Sequence, residues 1–103
     1  MALPTLSPEQ RQAALEKARE ARAARSALLA GLKAGTVTLA DVLARDDDIA
    51  RRTSVAQVVR ALPGVGPARA AAAMQRAGIM LDRRVGGLGA RQREQLLAEF
   101  AGR

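Results

Sequence analysis

Neither cysteine nor histidine occurs in this 103-residue chain, tryptophan and tyrosine are absent, and Phe100 is its one aromatic side chain. Without cysteine there is no disulfide framework and no thiolate chemistry, which fits a reducing cytosol. Without cysteine or histidine, no transition-metal site is expected. The commonest general base at neutral pH is missing too, and the acids Glu9, Glu16, Glu20 and Asp46 form no constellation with a base or metal ligands. No enzyme, no metal and no other cofactor is therefore expected. One aromatic residue is no platform for stacked bases, which argues against a module that reads splayed single strands or RNA. No apolar run approaches membrane-spanning length, and Met1–Ser7 carries no charged leader pattern.

Positive charge is what the chain has in excess. Seventeen Lys and Arg against ten Asp and Glu give a net charge of +7 and a pI near 11.6. This is the footprint of a protein that binds phosphate backbones, although a membrane surface would attract the same charge. The length suits one small domain, residues 1–103.

Met1–Leu6, broken by Pro4, reads as an extended lead-in. Ser7-Pro8-Glu9-Gln10 then starts a helix, with a capping Ser, Pro at the first helical position and Gln completing a capping box. Good helix formers continue to Lys33 and Gly35 supplies the stop, so one long helix is expected over 8–33. At about 100° per residue, Arg11, Arg19, Arg22, Arg25 and Lys33 share roughly a third of its circumference. Only Leu28, Leu29 and Leu32 near its end offer a substantial apolar face. The helix reads either as a protruding basic arm or as a solvated face. Thr36–Arg45 reads as a short second helix, and Asp46-Asp47-Asp48 as a solvated turn whose charge keeps that side off DNA. Arg51 and Arg52 are expected to be exposed, and Ser54-Val55-Ala56-Gln57 opens a third helix.

Leu62-Pro63-Gly64-Val65-Gly66-Pro67-Ala68-Arg69 is the most informative stretch. Gly64 and Gly66 can take positive φ, and Pro67 marks a helix start. A glycine turn feeding a helix N-terminus aims free N–H groups and the positive end of the helix dipole at one place, which suits an anion. The alternative is a plain turn between helices. The fourth helix runs over 67–77 with Gly78 as its cap, and Ile79-Met80-Leu81 is expected to return to the core. A second glycine-rich loop, Arg83-Arg84-Val85-Gly86-Gly87-Leu88-Gly89, leads into a last helix over 90–101. Arg91 and Arg93 in its first turn oppose the dipole, a conflict that a bound anion would relieve. The fold class is all-α, with about five helices and no alternating strand pattern.

The third helix, first turn, fourth helix, second loop and last helix, spanning 55–101, resemble a helix-two-turns-helix DNA-binding module. The whole chain resembles the actinobacterial integration host factor family. The likeness runs through Met1-Ala2-Leu3-Pro4, Ser7-Pro8-Glu9-Gln10-Arg11 and Ala13–Ala18, and is strongest in Leu62–Gly66 and Arg83–Gly89. It implies a cytoplasmic, nucleoid-associated protein that binds double-stranded DNA and alters its shape or topology, with room for a recombinase or topoisomerase partner. A monomer in solution is expected. Matched by position, the implied DNA-binding residues are Gly64, Val65, Gly66, Pro67, Ala68 and Arg69 in the first turn. Arg83, Arg84, Gly87, Leu88, Gly89 and Arg91 follow in the second, with Arg22 and Arg25 on the long helix. Two positions depart from the family pattern: Gly86 stands where a basic residue is expected, and Pro67-Ala68 where a Lys is common, with Arg69 as a substitute. Three functions stay in view: architectural binding of duplex DNA, an RNA- or ribosome-associated module using the same turns, and a fragment of a DNA-processing enzyme.

Overall fold

The computed structural model describes residues 5–101, so Met1–Pro4 of the lead-in and Gly102–Arg103 lie outside the described residues. Six α-helices follow one another: α1 Pro8–Ala34, α2 Leu39–Ala44, α3 Asp48–Arg52, α4 Val55–Ala61, α5 Pro67–Arg76 and α6 Ala90–Glu99. A 3-10 turn occupies Val85–Gly87 in the second loop. Among the described residues there is no strand, only an isolated antiparallel bridge between Ser54 and Arg84.

The helix starts follow local chemistry. The Gln10 N–H donates to Ser7 Oγ at 3.1 Å, and the Ser7 N–H donates back to Gln10 Oε1 at 2.9 Å. Thr38 and Asp41 make the same reciprocal pair on α2 at 3.0 Å in both directions. Asp41 is held below the usual carboxylate range, chiefly by the Thr38 backbone N–H. Ser54 caps α4 by accepting the Gln57 N–H at 3.2 Å.

The three consecutive aspartates are not simply a solvated turn. Asp47 caps α3, accepting the Ala50 N–H at 3.2 Å. It also takes a bidentate hydrogen-bonded pair from Arg45, at 2.7 and 2.9 Å. Arg45 holds the Asp47 carboxyl down to about 2. α3, a helix beyond the five expected, therefore begins inside the acidic run, five residues long and beyond the reach of periodicity arguments.

The core gathers Leu28 and Leu32 of α1, Leu39, Val42 and Leu43 of α2, and Val55, Val58 and Val59 of α4. Ala70, Ala73 and Met74 of α5 and Leu96 of α6 complete it, with Phe100 just beyond. The alanines of α5 bury small side chains where α5 meets α4 and α6. Ile79 returns to this core, but Met80 and Leu81 do not: they are 66% and 64% exposed.

α1 contributes to the core only near its end. Residues 8–20 are all exposed, including Leu15. A 27-residue helix is about 40 Å long, against a longest molecular extent of 50 Å. Its first half therefore projects from the body, with nothing larger than alanine and one leucine on its apolar side.

Candidate nucleic-acid interface

The two glycine turns share one local plan. Each places an apolar residue between two glycines directly before a helix: Gly64-Val65-Gly66 before α5, and Gly87-Leu88-Gly89 before α6. In each, the apolar residue is buried, Val65 at 6% and Leu88 at 7% exposure. In each, the second glycine is the helix N-cap in extended conformation, Gly66 at φ −88° and Gly89 at φ −77°. The buried residue pins the turn to the core and the glycine leaves the helix N-terminus bare. This corrects the part given to Val65 and Leu88: both are buried in the core, and their N–H groups donate to the Leu62 and Val85 carbonyls.

In the first turn the sharp bend is made at Gly64, whose φ is +75°. Gly66 does not need its expected positive φ, and no atom lies within 4 Å of where a Cβ on it would sit. The Ala70 N–H is the first in α5 to find an intrahelical acceptor, the Gly66 carbonyl at 3.0 Å. The earlier amides, those of Ala68 and Arg69, have none, Pro67 has no N–H, and Gly66 offers no capping side chain. Donors and helix dipole therefore point out together. Lys33 from α1 and Arg60 from α4 line the open cleft that runs from α1 to this turn. Gly64, Val65 and Gly66 line this cleft and Pro67, Ala68 and Arg69 follow at the start of α5, while Lys33 and Arg60 are residues the sequence did not place at this turn.

The second turn is fastened differently. The Val55 N–H donates to the Arg83 carbonyl at 2.9 Å and the Val85 N–H donates to the Thr53 carbonyl at 3.0 Å. This bridge ties the loop to the junction of α3 and α4. Arg83 Nη1 donates to the Gly87 carbonyl at 3.1 Å, and Arg84 Nη1 to the Arg52 carbonyl at 2.5 Å. Both arginines remain exposed, with further N–H groups for an anion. At the end of the loop the Gly89 N–H donates to Gln92 Oε1 at 3.0 Å, and Gln92 Nε2 donates to the Gly78 carbonyl at 3.0 Å. Gln92 thereby joins the start of α6 to the end of α5.

Arg91 and Arg93 separate here. Arg91 is exposed beside the turn. Arg93 is half-buried; its Nε donates to the Leu88 carbonyl at 3.4 Å and its Nη1 to the Leu43 carbonyl. Arg93 is therefore a tie between α6, the second turn and α2, and its conflict with the dipole is met by protein carbonyls rather than by an anion. Arg22 and Arg25 stand apart from both turns on α1, Arg22 exposed and Arg25 half-buried.

The two turns lie at opposite ends of α4. The first follows its C-terminus and the second is bonded to its N-terminus. Seven helical residues separate them by about 10 Å. An ion pair between α5 and α6, Arg76 Nη2 to Glu99 Oε2 at 2.7 Å, is outside both turns. It lowers the Glu99 carboxyl and raises the Arg76 guanidinium. Among the described residues no group of three or more acidic side chains is placed to hold a metal ion.

Comparison with known proteins bears on this geometry. Residues 32–100 match the S13-like H2TH domain family. The chain is 44% identical to an integration host factor of Streptomyces coelicolor over 102 residues, covering 97% of this chain and 95% of that one. It is 46% identical to an integration host factor of Mycobacterium tuberculosis, covering 97% of each. The solved structure of sIHF bound to an 8bp palindromic DNA aligns with a TM-score of 0.80 at 38% identity, over 84% of this chain and 99% of that one.

Proposed function

The chain belongs to the integration host factor family of actinobacteria, and on that premise we propose that it is a nucleoid-associated architectural protein of duplex DNA. The observation that carries this reading is the pair of turns at the two ends of α4, each presenting a bare helix N-terminus and each flanked by exposed cations. Backbone amides and guanidiniums aimed at phosphates fix position along a duplex and read no sequence directly. Any preference then comes from how easily a given sequence deforms. The same chemistry makes the protein a binder rather than an enzyme, acting in the nucleoid. In this reading Gly64, Gly66, Pro67, Ala68 and Arg69 seat one phosphate, and Arg83, Arg84, Gly87, Gly89 and Arg91 seat others. The stripe of Arg11, Arg19, Arg22 and Arg25 extends the contact along α1 to DNA beyond the module.

A salt-titrated binding experiment on duplex DNA, read together with ring closure of short linear fragments, tests the reading. Affinity should fall linearly in log–log form as salt rises. Ring closure should change in the presence of the protein and revert towards the bare-DNA value for Arg22→Ala,Arg25→Ala. Equal affinity for structured RNA and duplex DNA, or salt-independent binding, would contradict it.

A further inference from the structure

The bridge that fastens the second loop brings α3 with it. Hydrogen bonds from Val85 to Thr53 and from Val55 to Arg83 set the last turn of α3 directly against the loop. Arg51 and Arg52 then share one shallow cleft with Arg83 and Arg84. The contact is closest at Gly86. A Cβ on Gly86 would sit 3.0 Å from Arg51 Cβ, 3.1 Å from Arg51 Nε and 3.2 Å from the Arg51 carbonyl. Gly86 has no positive φ, so its backbone conformation does not call for glycine. What calls for glycine is the Arg51 side chain lying across it.

Two of the four guanidiniums in this cleft, those of Arg51 and Arg52, are unspent. Arg45 and Arg76 are held in bidentate pairs with carboxylates. Arg93 is held by carbonyls. The guanidiniums of Arg51 and Arg52 make no hydrogen bond or ion pair among the described residues, and both side chains are exposed. Asp48 and Asp82 also line the cleft, and neither pairs with any of its arginines. Four guanidiniums against two carboxylates leave a positive surface next to a loop that already offers Arg83 and Arg84.

We propose that Arg51 is a phosphate-binding residue of the second turn, supplied from α3 into the space that Gly86 leaves open. The assignment rests on the duplex-DNA reading above and names a contact that reading does not contain. The Gly86 backbone restricts where the Arg51 stem can lie, so the guanidinium loses less freedom when a phosphate docks. Its planar fork can take two phosphate oxygens at once, which an ammonium cannot do.

The test uses the full chain and a labelled blunt 20-base-pair duplex, with affinity measured from about 50 to 200 mM salt and thermal melting as the check on folding. Arg51→Ala should flatten the log K against log salt slope by about 0.9, so that it loses about 3.5-fold less affinity across that range than the unmodified chain. Arg51→Lys should keep the slope while binding more weakly at every salt concentration. The Arg51 Cβ and carbonyl that crowd Gly86 persist in Arg51→Ala, so the two Arg51 variants carry the test. An unmodified chain with steep salt dependence alongside an Arg51→Ala variant of equal slope and affinity would overturn the proposal. Absence of salt-dependent duplex binding by the unmodified chain would overturn the underlying reading, and this assignment with it.

Discussion

The two turns differ in what holds them and in what they offer. The first is held by Val65 in the core and by a bend that Gly64 alone supplies at φ +75°. It presents backbone first, with the exposed cations Arg69, Lys33 and Arg60 around it. The second is held by Val85 and Leu88 in the core, by the bridge to Thr53 and Val55, and by guanidinium bonds to carbonyls. It presents charged side chains. An anion at the first turn is thus recognised by shape and dipole, and one at the second by charge. Substitutions at the first turn should act through sterics and conformation, and those at the second through salt dependence.

The largest expected effect separates the anchors. Leu88→Ala should cost about 2–5 kcal/mol of folding stability, as truncation of a buried leucine does. Val65→Ala removes two buried methyl groups and should cost about 1.5 kcal/mol. Urea denaturation measures both; a smaller loss at Leu88 than at Val65 would contradict the assignment of Leu88 as the core anchor of the second turn. Next comes the conformational difference. Gly64→Ala forces a Cβ into the left-handed region and should cost about 1–2 kcal/mol. At Gly89 the φ is ordinary and the nearest atom to an added Cβ is 3.8 Å away, so Gly89→Ala should leave the melting temperature nearly unchanged.

A smaller effect reads charge. Arg83→Ala and Arg84→Ala should each flatten the salt slope by about 0.9 if each neutralises one phosphate. Loss of stability with an unchanged slope would mean that these arginines serve only the Gly87 and Arg52 carbonyls. The smallest effect is acid sensitivity. The Asp47 carboxyl is held down to about 2 in the fold against 3.8 when free. Its stabilising contribution is complete above the free value and disappears as pH falls through about 2. Glu99 is shifted in the same direction by Arg76 and adds a loss that begins as pH drops below 4.5. Between pH 5 and 2, amide exchange should therefore rise in α3 and at the α5–α6 contact before it rises at the first turn, whose cleft is lined by no carboxylate.

Much of this was legible in the residues because the determinants are local. Ser7 with Gln10 and Thr38 with Asp41 announce α1 and α2, and Pro67 announces α5. The exposed first half of α1 follows from the lack of large apolar residues before Leu28. What was not legible depends on distant partners. Five residues of α3 are too few for a period, and its cap, Asp47, lies within an acidic run. Met80 and Leu81 are as apolar as Ile79, but only the packed chain decides which of the three is covered. Arg93 carries no mark of its bond to Leu43, fifty residues earlier. The placement of Arg51 against Gly86 exists only through the Thr53–Val85 bridge.

Gly66→Ala gives the most direct measure of the central claim, that the first turn receives a DNA phosphate on bare backbone. Its φ of −88° suits alanine and the added Cβ meets nothing within 4 Å in the free protein. Folding should therefore be unaffected, and any loss reports on what lies outside the protein. Melting temperature and helicity should match the unmodified chain, while affinity for duplex DNA should fall more than tenfold, about 1.4 kcal/mol. A Gly66→Ala protein that melts normally and binds duplex DNA with unchanged affinity would contradict the account.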